Sequence, residues 1–447
     1  NETSRLATVY SLTEQGTFAI EHSLFKTVDQ VRIRGHYYSD KPPLYVVWLA
    51  TVYTIVKTVA GLAFETSPRA VFFILSFMGS GVFCLFLGIL FHRQGTKRGW
   101  PQPLAFLGGA GVIFSTWIFS FGGTINNHVP AAALLMTAYF VLNEARHEDP
   151  RKVRLLLGGT LLGLVLNLDL PTGGLFALCV IAGMVRGMSR QSLIEPLLVA
   201  GGFMVFGVGI LAALNFAAHG SFLPAYMVDG AYDYPGNIHT NRMAGLHKPD
   251  DLAVHLISAL VGSRGIFSYM PLLLLALPGV WFVRHQLSRM DGCFLVGTLL
   301  TACFYLTQCG DFGGWAYGLR FLIPLVPPLF WMTLRWIHES HSRRLHALAV
   351  ALGLWGVITS GVGAYQPWPV CDEGAASKSH AIEKGFRNTF LLNLRCLLHE
   401  SSLTRPLGYR MGAWYLGNKD HDILTLSFLN MNKDRFSRKL LDGPPPK

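Results

Sequence analysis

The chain runs to 447 residues, of which 51% are hydrophobic and only 14% charged, with 47 glycines and 30 phenylalanines. Soluble domains carry roughly 25% charged residues, so this composition excludes an ordinary soluble enzyme and points to a polytopic membrane protein. The formal net charge of +11 is concentrated in short loops between apolar runs, the positive-inside pattern, which argues against a nucleic-acid partner.

The sequence opens on Asn1, and a further helix is expected upstream of it. Residues 1–69 read as one large external loop. Within it, Tyr37-Tyr38-Ser39-Asp40-Lys41-Pro42-Pro43-Leu44 sets an acid and a base beside two prolines. Each proline fixes its own φ and pushes the preceding residue toward an extended shape, so Asp40 and Lys41 stand on a stiff turn. The next residues, 44–63, carry Tyr45, Trp48, Tyr53 and Lys57, a composition suited to lying in the membrane interface. A carboxylate and an ammonium held there suit a ligand with a phosphate head and a lipid tail. The competing reading is a proline turn with an ordinary surface lysine.

Ten apolar segments of helical length follow, at 70–91, 103–121, 129–143, 154–170, 173–186, 196–218, 267–284, 292–307, 320–337 and 346–365. The pair 154–170 and 173–186, interrupted at Asp169-Leu170-Pro171-Thr172-Gly173, reads as a short hairpin packed inside the bundle. Arg93, Lys97 and Arg98, then Arg146, Arg151, Lys152 and Arg154, then Arg343 and Arg344, fall in alternate loops. Loops 122–128, 169–173 and 308–319 contain no Lys or Arg. If all ten segments span, every basic loop lies on one side, which the positive-inside rule makes cytoplasmic. The transmembrane bundle then occupies 70–365, with an external loop at 219–266 and an external tail at 366–447. Cys371 and Cys396 in that tail are expected to pair in an oxidising compartment. No cysteine spacing resembles a zinc site, and His338-Glu339-Ser340-His341 has its second His too early for the metalloprotease spacing.

Ionisable groups are nearly absent from the middle of the predicted spans and gather at their outer mouth. Glu2, Arg5, Asp40, Lys41, Arg69, His128, Asp169, Arg264 and Arg320 all map there, and the loop around Tyr232 and Asp233 adds rings and acids of the kind that bind sugars. Each has a plainer reading. Arg69 opening an apolar run suits a snorkelling anchor. His128 after two Asn residues suits a helix cap. Asp169 suits the loose amides of a broken hairpin, and Arg320 the end of a Gly-rich loop. Their convergence on one face is what favours a ligand site.

These residues resemble the GT-C class of integral-membrane glycosyltransferases, especially bacterial relatives of protein O-mannosyltransferases and lipid A aminoarabinose transferases. The resemblance covers the chain to about residue 340. It rests on Glu2 with Arg5, on Asp-Lys-Pro-Pro at 40–43, on Arg69 opening a helix, and on Gly-Leu-Arg-Phe-Leu-Ile-Pro at 318–324. It implies an all-α bundle of about eleven transmembrane helices, the first missing here, with external loops and interfacial helices. It also implies transfer of a sugar from a polyprenyl-phosphate donor to a protein, lipid or polysaccharide acceptor at the outer face of a bacterial inner (plasma) membrane. In that family the catalytic acid is usually Asp, three residues before the Arg. Here that offset falls on Glu2, and Asn126-Asn127-His128 stands where relatives often carry a second acid. The implied roles make Glu2 the general base of an inverting displacement, and make Lys41 with Arg69, Arg264 or Arg320 the stabilisers of the departing phosphate. Asp40 orients Lys41 or helps to hold a divalent metal. The alternative is a lipid-linked sugar transporter or flippase without catalysis, for which the sequence offers neither an internal repeat nor a cation series down the spans.

Overall fold

The structure, a computed structural model, describes residues 2–145, 151–186, 193–237, 248–249, 252–262, 264–310, 313, 316–340, 342–368 and 389–400. Among these residues, five helices are long and apolar enough to cross a membrane by length and composition: Pro43–Ala60, Pro68–Lys97, Ile194–His219, Arg289–Gln308 and Arg343–Tyr365. Shorter apolar helices, including Gln102–Phe114 and Leu170–Arg186, pack beside them. The helices turn Phe73, Ile89, Leu197, Val205, Leu299 and Leu354 outward. Water would not tolerate an outer surface of this kind, whereas lipid tails solvate it. The interior is filled by large rings, among them Trp117, Trp331, Tyr45, Phe121 and Phe140. The protein is an all-α polytopic membrane protein, as composition requires.

Three of the apolar segments read as single helices are broken, each for a local reason. Segment 103–121 divides into Gln102–Phe114 and Trp117–Gly122. Thr116 is extended between them, and its hydroxyl accepts the Ile118 N–H at 3.2 Å, which starts the second piece as an N-cap. Segment 267–284 breaks at Met270, which lies outside helical space ahead of Pro271. Segment 320–337 begins as a 3-10 helix, Arg320–Leu325, that contains Pro324, and becomes α-helical only from Val326.

The expected hairpin is formed by Arg151–Leu168 and Leu170–Arg186, with Asp169 alone between them. A Cβ at Gly173 would stand 2.2 Å from the Leu166 nitrogen, so only glycine lets the second helix turn back so closely. Asn167 fixes this hairpin to the Ile194–His219 helix. Its Nδ2 donates to the carbonyls of Phe206 (3.2 Å) and Gly207 (2.9 Å), in a stretch where that helix is wound as a π-helix. The backbones meet at Gly163 and Gly207, where a Cβ on Gly163 would lie 2.6 Å from the Gly207 nitrogen. Small residues at a helix crossing are how membrane bundles gain close packing.

Residues 1–69 hold more structure than one interfacial helix. Glu2–Tyr10 is helical and continues as a π-helical stretch to Gln15. Strands Gln30–Ile33 and His36–Ser39 pair antiparallel, with Val31 opposite Tyr38. Their two-residue turn has φ of 51° at Arg34 and 87° at Gly35, the positive values a tight hairpin needs. The loop after His219 closes over this hairpin. The Arg32 N–H donates to the Ala231 carbonyl (2.7 Å), and the Tyr234 hydroxyl to the Gln30 carbonyl (2.9 Å). Val31, Ile33, Ala225, Ala231 and Tyr232 fill the small core between them. Ser39, at the end of the second strand, shares a 2.7 Å hydrogen bond with Ser4. The cap thereby carries Asp40 and Lys41 to the side of the Glu2–Tyr10 helix.

The other end of the bundle bears the basic loops. There Glu144 binds Gln94 (2.8 Å), Lys97 (3.1 Å) and Arg154 (2.7 Å). About 24 Å of helix separates Glu144 from His128, at 1.5 Å per residue. Cys371 and the Cys396 side chain, the expected disulfide pair, lie outside the described residues, as does most of the 366–447 tail.

Candidate functional site

The proline turn holds an ion pair beside an apolar groove. Lys41 Nζ lies 2.9 Å from one Asp40 carboxylate oxygen and 2.8 Å from the other. The Asp40 side chain is 3% exposed and that of Lys41 16%, so the ammonium has the freer side. Pro43 opens the Pro43–Ala60 helix, where its missing N–H costs nothing. Lys41, Pro42 and Pro43 form one wall of a narrow groove that opens to the surroundings. Leu166, Leu170, Leu211, Asn215, Pro224, Ala225 and Tyr226 complete it. The walls are mainly hydrocarbon, with one cation among them.

A second set of charges is buried next to this ion pair. Arg5, 4% exposed, donates to the Ile125 carbonyl (3.1 Å) and to Asn127 Oδ1, and lies 5.7 Å from the Tyr45 ring centroid. Glu2 Oε1 accepts the Ile125 N–H at 2.7 Å. Together these bonds bind the start of the chain to loop 122–128, which places His128 at the mouth. Asn127 Nδ2 reaches on to the Leu168 carbonyl (2.5 Å), at the turn of the hairpin. Arg5 lies within electrostatic range of both Glu2 and Asp40, so the two sets form one cluster.

Beyond Asn127 stands a chain of three side chains. His128 Nδ1 is 2.9 Å from Asp169 Oδ2, and the Tyr305 hydroxyl donates to Asp169 Oδ1 at 2.5 Å. Asp169 Oδ1 also accepts the Thr172 N–H (3.2 Å), which caps the Leu170–Arg186 helix. Its capping reading and its part in the cluster are therefore both realised. Phe321 packs edge-on to the His128 ring, with centroids 5.6 Å apart, and stacks on Tyr305 at 5.0 Å. The adjacent Arg320 lies 5.3 Å from the Phe321 and Trp368 ring centroids. Gly313, at φ 80°, makes room for it, since a Cβ there would meet Arg320 Cγ at 2.8 Å.

Tyr226 joins the groove to this chain. Burial pushes its phenol pKa up, and the Asp169 and Asp40 carboxylates add to the effect. At neutral pH it is a protonated hydroxyl lying within electrostatic range of both acids.

Seven residues picked out in the sequence therefore converge: Glu2, Arg5, Asp40, Lys41, His128, Asp169 and Arg320. The others are placed differently. Arg69 is exposed at the start of its helix, as an interface anchor would be. Arg264 is buried in the turn between helices Leu252–Leu260 and Ile266–Tyr269. Tyr232 belongs to the small core under the hairpin, and Asp233 is exposed beside it. The ring at the groove is instead Tyr226, six residues earlier in the same loop. Tyr305 gave no signal, being one aromatic residue in an apolar run. Among the described residues no group of three His, Cys, Asp or Glu side chains is placed to hold a metal ion.

The sequence matches no protein-family model and no curated protein. Two solved structures share the fold. ArnT from Cupriavidus metallidurans bound to undecaprenyl phosphate superposes with a TM-score of 0.52 at 13% identity, over 98% of this chain and 73% of that one. The same protein in the apo state gives 0.54 at 11% identity, over 99% and 72%. ArnT is a lipid A aminoarabinose transferase of the GT-C class. The chain has a GT-C-like fold.

Proposed function

We propose that this protein is a membrane glycosyltransferase that takes a sugar from a polyprenyl-phosphate donor and passes it to an acceptor at the non-cytoplasmic face of the membrane. The observation that carries the reading is the Asp40–Lys41 pair at the mouth of an apolar groove. A polyprenyl phosphate is a dianionic or monoanionic head on a hydrocarbon chain, and the groove offers a cation at its rim with leucine and proline walls behind. The fold neighbour with undecaprenyl phosphate bound supports the same chemistry.

In this reading Asp40 holds Lys41 in place before the ligand arrives, and the ammonium compensates the phosphate charge. As the sugar leaves, the phosphate oxygen gains negative charge, and Lys41 stabilises it most at that moment. Arg320 supplies a second cation near the reacting centre. The acceptor oxygen displaces the phosphate in one inverting step, and it must lose its proton. Glu2 and His128 are the two groups of the cluster suited to receive it, because Glu2 keeps one oxygen off Ile125. The basic loops face the cytoplasm, and the cluster lies at the opposite end of the helices.

Undecaprenyl phosphate added to the full chain in nanodiscs should remain bound in native mass spectrometry. The protein should also release undecaprenyl phosphate from at least one undecaprenyl-phosphate sugar. Binding without release is the behaviour of a flippase or a lipid-binding partner, and would refute the transferase reading.

A further inference from the structure

The buried trio His128, Asp169 and Tyr305 has an arrangement that a cap or a packing role does not require. Asp169 comes from the reversal of a helical hairpin, His128 from the first residue of another helix, and Tyr305 from a third. The sequence distances are 41 and 136 residues, so the fold alone assembles them. Asp169 takes up His128 Nδ1, and Tyr305 and the Thr172 N–H hold the other carboxylate oxygen. A carboxylate on Nδ1 fixes the proton there and leaves Nε2 with its lone pair. Nε2 makes no hydrogen bond among the described residues. Leu170, directly after Asp169, lines the groove, and Tyr226, also in its wall, lies within electrostatic range of both Asp169 and Tyr305.

Glu2 has one of its two carboxylate oxygens in a structural contact. Its Oε1 is committed to the Ile125 amide, and Arg5 beside it grips the same loop through the Ile125 carbonyl and Asn127. These bonds set the position of His128 three residues further on. They make Glu2 and Arg5 a clamp.

We propose that His128, oriented by Asp169, takes the proton from an acceptor hydroxyl, and that the acceptor therefore attacks through a hydroxyl group and not through an ionised phosphate. The proposal rests on the transferase reading above and gives its acceptor class. A phosphate acceptor is already anionic near neutral pH and needs no base, whereas a neutral hydroxyl does. In the step, the acceptor O–H bond breaks and its proton passes to His128 Nε2. The acceptor oxygen bonds to the anomeric carbon as the bond from that carbon to the phosphate oxygen breaks, and the electron pair leaves on the lipid phosphate. The imidazolium then returns its proton to water. Asp169 stabilises the imidazolium, and Tyr305 is a positioning residue that acts through Asp169.

The charged and titratable groups around His128 are Asp169 at the hairpin turn, Tyr305 behind it, Arg5 from the first helix and Arg320 from the 3-10 helix. Arginine keeps its proton in proteins, so an acid limb in the rate belongs to the His–Asp pair or to Glu2, and the variants separate the two. The test uses the full chain in nanodiscs with cell-envelope extract as acceptor. It follows undecaprenyl phosphate released from mannosyl, glucosyl or aminoarabinosyl undecaprenyl phosphate, whichever the wild type consumes, between pH 5 and 9. His128→Gln should lower release at pH 7.5 by roughly a hundredfold or more, keep undecaprenyl phosphate bound, and abolish the fall in rate on acidification. Asp169→Asn removes the anion that favours the imidazolium, so its acid limb should move to lower pH. Glu2→Gln should keep the limb in place.

A His128→Gln protein that keeps the wild-type rate and limb, or that loses rate with the limb intact, overturns the proposal. So does a limb that vanishes in Glu2→Gln. If His128→Gln fails to hold lipid, the limb of Asp169→Asn decides, and an unmoved limb overturns the proposal. A wild type that consumes none of the three donors refutes the transferase reading itself, and this inference with it.

Discussion

The bundle buries ionic clusters at both ends, and the two are built differently. At the end with the basic loops, Asp291 accepts from Tyr139 through Oδ1, pairs with Arg335 at 3.0 Å, and closes a capping box through the Ser288 N–H at 2.6 Å. Each oxygen of Asp291 is used. Arg98 covers the neighbouring rings of Phe140 and Trp331. At the other end, His128 Nε2 and one oxygen of Glu2 make no hydrogen bond among the described residues, and an apolar groove adjoins the cluster. Burial of charge is costly in either place unless partners repay it. A closed network repays it for the sake of packing, whereas an open one beside a groove keeps donors and acceptors for something that arrives.

Mutations sharpen the contrast, because one cluster should answer in stability and the other in function. The largest expected effect is at the closed end. Asp291→Ala strips Arg335 and Tyr139 of their partner and should destabilise the protein by about 3–5 kcal/mol, read as an early thermal unfolding transition in detergent. Lipid binding by the surviving folded fraction should be unchanged.

Next comes the groove. Lys41→Ala removes a charge-assisted contact to phosphate worth about 1.5–3 kcal/mol, roughly ten- to a hundredfold in donor use, with thermal stability nearly unaltered. Tyr226→Phe deletes one hydroxyl near Asp40 and Asp169 and should cost about 0.5–1.5 kcal/mol in donor use, measured as the concentration dependence of turnover. Equal stability losses at Lys41 and Asp291, with no loss of lipid use, would erase the distinction between the two ends.

The smallest effect is expected at Lys57, on the same helix as Pro43. Its ammonium binds Glu14, which also accepts from Tyr53 at 3.1 Å, and Lys57 is over a third exposed. An ion pair of that exposure contributes about 0–1 kcal/mol, so Lys57→Ala should be nearly silent in both stability and lipid binding. It serves as the control for a general loss of positive charge at the membrane surface.

What the sequence disclosed depended on how local each cause was. Asp-Lys-Pro-Pro was readable because proline geometry acts on adjacent residues, and the break at Asp169 because Pro171 and Gly173 mark it. The breaks at Met270 and within 320–325 also carry a proline, yet hydropathy averages across them and hides the interruption. The hairpin at residues 30–39 had its signal too, in the alternation of Val31 and Ile33 with polar neighbours around Arg34-Gly35, but it lies in a stretch that hydropathy assigns only to loop. The His128–Asp169–Tyr305 chain had none. Its members are far apart in sequence, and nothing local in an apolar run distinguishes Tyr305 from a packing residue. Nor does the sequence tell which ring of the loop after His219 reaches the groove: the loop's composition is visible, whereas the face that Tyr226 and Tyr232 each take is set by the hairpin beneath.

The central claim is that Lys41 grips a lipid phosphate at the mouth of the groove, and the most direct test compares undecaprenyl phosphate binding to wild type, Lys41→Ala and Lys57→Ala in nanodiscs of fixed composition. The account predicts that Lys41→Ala binds roughly ten- to a hundredfold more weakly while Lys57→Ala matches the wild type. Equal affinity in all three proteins would contradict it and leave Asp-Lys-Pro-Pro as a turn with no ligand.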